Sequence, residues 1–324
     1  MTGSAVRDAL QQLKDRLVVL GPHHWITRLA LQGVALKNGW KLQFRENAID
    51  LSKGNRRLVL PEREYINVPM IVSGGMLAEV CFDTTVPERR GGIDVWDYSQ
   101  PGWRTYRLSG LEFYMPAIPE EESQEAYTHW YTPRPGDLVW DVGAHAGQTT
   151  YFLSRMVGPE GRVLAWEPDP VNVACLERNI ERHGLSNVTV VRSALAGTSG
   201  PVAFHMDGTM GSGIVEYLPY QSARRVVAVD ALTIPDACGV HGVPDYIKMD
   251  IEGAEIAVIR ASVGFLREHP IHLAVETAHI VDGRFAYFEL ERLLGEAGYQ
   301  FESSLEFHYW YTWARPGAAV PLTQ

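Results

Sequence analysis

The sequence predicts an α/β fold: an open, mostly parallel sheet over its C-terminal two-thirds, preceded by a smaller mixed or β-rich region. Three observations carry this. From Arg134 onward, short apolar runs alternate with amphipathic stretches of helical period, the pattern of βαβ units. Gly and Pro punctuate the junctions. Charged side chains gather just after the apolar runs, at the strand ends where open α/β sheets bind ligands.

The chain has 324 residues, 46% of them hydrophobic and 21% charged, enough to bury one large or two ordinary cores. A formal net charge of -10 and the lack of a concentrated Lys/Arg run weigh against nucleic acid as the main partner, although folding can still assemble a local patch. Cys81, Cys175 and Cys238 are far apart and in no metal-ligand spacing, so they read as isolated thiols of a reducing compartment. No run reaches transmembrane length, and the first twenty residues, with Asp8 among them, lack the pattern of a secretory signal. The default expectation is a cytoplasmic protein without a membrane partner.

Taken in order, residues 5–19 have a helical stripe of Val6, Leu10, Leu13 and Leu17, and a second short helix is expected from Trp25 to Leu31. Between Lys41 and Ser109 the runs RRLVLP, NVPMIV, LAEVCFD and WRTYRL alternate with turn residues, which predicts a β-rich or mixed accessory region. Residues 1–125 form this region and 126–324 the main domain. There, strands are expected at Leu138 to Val142, GRVLAWE ending at Glu167, NVTVVRSA, YIKMD and IHLAVE. Helices are expected at Thr149 to Met156, from Val171 to Gly184 with Val171, Ala174, Cys175 and Ile180 on one side, from Ala254 to Leu266, and from Phe288 to Ala297. PVAFHM and RRVVAVD read as short strands around a GTMGSG loop, and YQFESSLEF with YWYTWA as a closing antiparallel pair.

The turn DVGAHAG, which includes Asp141, Gly143, His145 and Gly147, either packs a helix tightly on a strand or lets a ligand approach the backbone. Glu167 ends the second strand, where an acid can bind both hydroxyls of a ribose. Nicotinamide cofactors and S-adenosylmethionine share that geometry. The loop spacing is GxxxG rather than GxGxxG, and Asp141 would repel a pyrophosphate but could meet an ammonium, which favours the methyl donor.

DLVWDVGAHAGQTT, VLAWEPDPVNVACLERNI, NVTVVRSALAG and DYIKMDIEGAEIAVIRAS followed by IHLAVE together resemble the FkbM family of S-adenosylmethionine-dependent methyltransferases, over roughly Trp130 to Tyr311. The resemblance implies a class I methyltransferase fold, Rossmann-like, with a seven-stranded sheet whose last strand is antiparallel. It further implies O-methylation of a hydroxyl on a sugar, a polyketide or another natural product. Carried over residue by residue, Asp141, Gly143, His145 and Gly147 would form the methionine and ribose side of the donor site. Glu167 would hold the ribose with Pro168 shaping the turn, and Ser193 and Ala194 would border the adenine. His145 stands where the family often has asparagine. A nicotinamide oxidoreductase and a non-catalytic S-adenosylmethionine-binding protein are the alternatives.

In such a sheet the KMDIEGAE segment brings Asp250 to the chemistry, with Glu252 and Glu255 at the following helix start and Gly253 allowing the exit. Lys248 lies two residues back, where it can pair with Asp250 or serve as a catalytic lysine. Two designs fit methyl transfer to an alcohol. Asp250 or His279, a histidine of near-neutral intrinsic pKa, can take the proton; alternatively Asp250 and Glu276 can share Mg2+. The metal-free design is the expectation. The partner is a small-molecule acceptor whose walls are drawn from residues 41–125, Trp103, Tyr106, Phe113 and Tyr114 among them, with Trp130 to Pro133 closing over the cofactor. A homo-oligomer is compatible with the sequence.

Overall fold

The computed structural model describes residues 20–122, 124–206, 208–209, 211–218, 225–281, 283–306 and 309–317; the helix expected over 5–19 lies outside them. The chain divides into two compact units, Met1–Glu121 and Glu122–Gln324.

In the first unit, helix α1 (Trp25–Lys37) runs two turns beyond the expected short helix. Strands β1 (Lys41–Arg45), β2 (Ala48–Lys53), β3 (Arg56–Pro61), β4 (Glu88–Arg90) and β5 (Ile93–Asp97) form a five-stranded sheet in the order β1-β2-β3-β5-β4. A hairpin, β6 (Gly102–Thr105) with β7 (Glu112–Met115), stands beside it in sequence. The β-rich expectation holds, but two runs read as extended are helical: α2 (Val68–Val72) and α3 (Met76–Asp83). Their signals are helical on closer reading. Pro69 sits in the first turn of α2, where its missing N–H costs nothing, and Leu77, Val80 and Cys81 repeat at i, i+3, i+4.

The second unit is built on seven strands: β8 (Leu138–Val142), β9 (Arg162–Trp166), β10 (Val188–Val191), β15 (Tyr246–Met249), β16 (His272–Glu276), β19 (Tyr299–Glu306) and β20 (Tyr309–Pro316). Their order is β10-β9-β8-β15-β16-β20-β19, with β20 antiparallel to both neighbours. This is the expected class I, Rossmann-like sheet, and β15 lies beside β8 as anticipated. Between β10 and β15 a four-stranded side sheet forms from β11 (Ala194–Leu195), β12 (Gly200–His205), β13 (Gly213–Ile214) and β14 (Val226–Leu232). A two-stranded hairpin, β17 (Ile280–Val281) with β18 (Arg284–Phe285), follows β16.

Helices cover both faces. Trp140, Val142, Ile247 and Met249 point into a core shared with α7 (Ile234–His241), α8 (Glu255–Glu268) and α9 (Tyr287–Glu296). Their alternates Val139 and Tyr246 face α4 (Gln124–Tyr127) and α5 (Gln148–Val157), as the two-residue period of a strand requires. Helix α6 (Pro170–His183) ends at Gly184 as expected, but its buried side is Asn172, Val173, Cys175, Leu176 and Asn179, one step round from the expected stripe, and Val171 is exposed. Asn172 and Asn179 are buried because each amide reaches a loop carbonyl. Helix α7 was not foreseen; its start is marked by the cap of Thr233 on Asp236 N–H and by proline in its first turn.

The β8–α5 turn shows why its glycines are required. Gly143 has φ +79°, and a Cβ there would lie 1.8 Å from the backbone oxygen of Asp250. Gly147, at φ +85°, would place a Cβ 2.3 Å from Leu176 Cδ1, the tip of a movable side chain. Both glycines therefore serve packing within the protein. Gly143→Ala is expected to cost about 3 kcal/mol or more, since a backbone neighbour cannot step aside. Gly147→Ala should cost only about 1–2 kcal/mol, mostly for the left-handed backbone. Urea denaturation of the two variants checks the contrast, and equal losses would show that backbone conformation alone sets the cost.

Candidate functional site

The turn after β8 is gripped from both sides at the carboxyl edge of the sheet. On one side Glu167, which follows β9 and is 5% exposed, accepts the His145 N–H through Oε2 at 2.9 Å and the Asp169 N–H through Oε1 at 2.8 Å. Burial pushes its carboxyl up to about 7 despite these donors and the nearby His145. His145 itself adopts φ +48°, unusual for a side-chain-bearing residue, so its N–H is turned toward Glu167 by a held conformation. Each Glu167 oxygen uses one lone pair on the backbone and keeps capacity for a further donor, which suits the two hydroxyls of a ribose. Pro168 separates Glu167 from Asp169 in the turn into α6.

Asp169 was not singled out in the sequence. It is fully buried, caps α6 by accepting the Val171 N–H, and also accepts the Gly208 N–H at 2.9 Å and the Ser212 hydroxyl at 2.7 Å. Asn172 reaches the Thr209 carbonyl. The glycine-containing segment between β12 and β13 is thereby fastened beside the donor turn. Its far end, Gly213, lies against Glu252. Ser193 is half-buried after β10, and Ala194 opens β11, paired with Ala231.

On the other side stands a buried ion pair. Lys248, 3% exposed, is paired in register with Asp141 on the neighbouring strand; its Nζ lies 3.2 Å from Asp141 Oδ1 and donates to the Gly143 carbonyl at 2.7 Å. Asp141 is wholly buried and its Oδ2 accepts the Thr150 hydroxyl at 2.6 Å. Lys248 thus ties down the turn after β8, and Asp141 meets Lys248 and Thr150. The cause is the strand period: Lys248 and Asp141 share one face of adjacent strands.

Asp250 follows on that same face, half-buried, and accepts the Tyr127 hydroxyl at 3.2 Å through Oδ2. Tyr127 is a second unforeseen contributor: its carbonyl accepts the Tyr246 hydroxyl at 2.6 Å and its ring lies 5.3 Å from Lys248 Nζ. Glu276 ends β16 beside Asp250. Burial, with the charge of Asp250 next, raises its carboxyl well above the ordinary range.

His279 is half-buried between carboxylates, Nε2 3.4 Å from Glu252 Oε2 and Nδ1 3.4 Å from Glu255 Oε1. Burial alone would lower its pKa, but Glu255 and Glu252 outweigh that and raise it well above the usual value. A raised pKa favours the protonated ring, which runs against the near-neutral base expected of it. Glu252 is raised by burial, partly offset by His279. Glu255 ends below its usual range, because His279 and the Ile251 N–H, which it accepts at 2.9 Å, overcome burial. It holds the Ile251 N–H and pairs with His279.

The aromatic residues expected to border ligands are elsewhere engaged. Tyr131 stacks on His272 at 3.9 Å and hydrogen-bonds Asp137 at 2.7 Å, and Trp130 donates to Glu302. Asp137 precedes β8 and His272 begins β16, so this cluster lies at the amino ends of the strands, opposite the donor turn. In the first unit Tyr106 and Phe113 are fully buried against each other, and Trp103 packs edge-on against Tyr114.

The Lys248–Asp141 pair has a direct stability consequence. Lys248→Ala leaves a buried carboxylate without its cation and is expected to lower unfolding free energy by about 3–5 kcal/mol in chemical denaturation. A loss below 1 kcal/mol would mean that Asp141 is compensated otherwise.

Residues 141–301 match the family described as "Methyltransferase FkbM domain". The chain is 35% identical over 99 residues to the 31-O-demethyl-FK506 methyltransferase FkbM of Streptomyces tacrolimicus, covering 30% of this chain and 36% of that protein. It is 26% identical over 151 residues to Methyltransferase 1 of Beauveria bassiana, covering 40% and 59% respectively, so it spans well under two-thirds of either relative. A crystal structure of Methyltransferase FkbM from Methylobacillus flagellatus shares 20% identity at a TM-score of 0.45, covering 60% of this chain and 48% of that one. The turn after β8, Glu167 and Asp250 fall within this match, and residues 141–301 carry the methyltransferase domain of the FkbM family, whose cofactor is S-adenosylmethionine.

Proposed function

We propose that the protein is an S-adenosylmethionine-dependent O-methyltransferase acting on a hydroxyl of a small molecule, a sugar or polyketide-like natural product. One observation carries the reading: a single turn, residues 143–147, is held by Glu167 on one side and touched by the backbone of Asp250 on the other. A donor whose ribose rests on Glu167 has its reactive end toward Asp250. The acceptor class draws support from the Streptomyces relative, a methyltransferase of 31-O-demethyl-FK506.

When bound, S-adenosylmethionine supplies an electrophilic methyl group. Glu167 accepts the ribose hydroxyls, Pro168 keeps the turn beside it, and Ser193 and Ala194 border the adenine. Gly143, His145 and Gly147 shape the methionine side, with Asp141 and Lys248 holding the turn beneath. Asp250 is the proton acceptor of the alcohol: as oxygen approaches the methyl carbon its proton becomes acidic enough for a carboxylate to take. Glu276, whose carboxyl is raised by burial and by Asp250, positions Asp250. His279 is set between Glu252 and Glu255 beside it.

No single helix among the described residues is long and apolar enough to cross a membrane, which accords with an acceptor taken from water. The donor site has a pH signature. The Glu167 carboxyl loses its proton as pH rises through about 7, so its acceptor form becomes more populated. S-adenosylhomocysteine should bind about tenfold more tightly at pH 8 than at pH 6, a dependence that Glu167→Gln flattens. Glu167→Ala should cost about 1–3 kcal/mol of affinity. Calorimetric titration measures all three, and tight NADH binding with no response to S-adenosylhomocysteine would overturn the assignment. With an acceptor in hand, Asp250→Asn should lower turnover by about a hundredfold or more and leave donor affinity unchanged.

A further inference from the structure

Beyond the donor turn, one cluster combines an imidazole with carboxylates. Asp250, Glu252 and His279 each offer a ligand atom within 4.8 Å of the other two. They come from two separate segments, the exit of β15 and the loop after β16, and all three are half-buried. Glu252 holds φ +58°, a conformation disfavoured for a side-chain-bearing residue, and it does so at the position that turns its carboxylate toward His279.

The spacing is informative. His279 Nε2 stands 3.4 Å from Glu252 Oε2. Two ligand atoms each about 2.1 Å from one ion lie about 3.0–3.4 Å apart, for octahedral to tetrahedral angles. The second ring nitrogen supplies an independent observation. Nδ1 faces Glu255, a wholly buried carboxylate fixed by the Ile251 N–H, which is the outer-carboxylate arrangement that orients a metal-bound histidine. Glu255 Oε2 is buried with no hydrogen-bond partner among the described residues, a vacancy of charge balance that the protein's own groups do not fill.

We infer that Asp250, Glu252 and His279 form a binding site for a divalent transition-metal ion, with Glu255 as the carboxylate that orients His279. One nitrogen and two oxygen ligands suit Mn2+ or Zn2+ better than Ca2+, which takes six to eight oxygens. Asp250 ligates through the oxygen that Tyr127 does not hold. This site is distinct from the Asp250–Glu276 bridge that the sequence suggested: the imidazole of His279 takes the place assigned there to the second acid.

The test uses the full chain and the metal alone, so it does not depend on the methyltransferase reading. Chelator-treated protein is titrated with Mn2+, followed by the loss of the free-ion paramagnetic resonance signal, and Zn2+ is then added as a competitor. The expected result is one Mn2+ per chain, displaced by Zn2+, with affinity at least tenfold weaker in Glu252→Gln and in His279→Ala. Glu255→Gln should also weaken binding, and it is checked by circular dichroism because that residue is buried. Absence of stoichiometric binding overturns the inference, as does binding that neither Glu252→Gln nor His279→Ala alters. S-adenosylhomocysteine titration of the same chelated sample is read separately, so loss of metal binding alone leaves the donor-site proposal standing.

Discussion

Lys248 is the cation around which the functional edge is arranged. It is buried in register with Asp141, and its ammonium also holds the carbonyl of Gly143. A buried charge pair is tolerated only when the remaining donors and acceptors are met, and here Thr150 and the Gly143 carbonyl meet them. Because those partners belong to β8, to the turn after it and to α5, satisfying one ammonium fixes the relation of two strands, a turn and a helix. The Asp250 backbone then has one place to go, against the α-carbon of Gly143. The position of Asp250 is a consequence of charge burial two residues back along the chain.

The sequence made the strands legible because their apolar runs are short, bounded by Gly and Pro, and buried on both faces; Leu138–Val142 matches the expectation residue for residue and His272–Glu276 lies within one residue of it. Partners across strands were not legible in the same way. The two-residue period puts Lys248 and Asp250 on one face, but only the strand order reveals that Asp141 stands opposite Lys248. His279 carried no local sign of burial, since the acids around it arrive from the β15 exit. Tyr127 comes from a four-residue helix more than a hundred positions before Asp250, beyond the reach of any periodicity. The Trp130 to Pro133 segment was misplaced for a reason that the sequence does contain: residues just before a strand belong at its amino end, whereas ligands gather at the carboxyl end.

Electrostatically the edge is divided. Around the donor turn each acid is met by backbone N–H groups or by Lys248, so negative charge is fixed in place. Past Asp250 the acids face one another, and His279 is the group set among them. Such a region favours a cationic guest, and a sulfonium and a divalent ion are both of that kind. The first half rigidifies, whereas the second retains unspent attraction for positive charge.

The position of β20 has a consequence for the chain during its synthesis. It is inserted between β16 and β19, pairing with Leu273 to Glu276 on one side and with all of β19 on the other. Until residue 316 has left the ribosome, β16 has an open edge and Trp313, fully buried in the finished sheet, has nowhere to pack. The second unit therefore closes only after its last strand is made, while the first, whose sheet is complete by Asp97, can form during elongation. Interrupted translation would yield a folded amino-terminal unit trailing a sheet with one unpaired and aggregation-prone border.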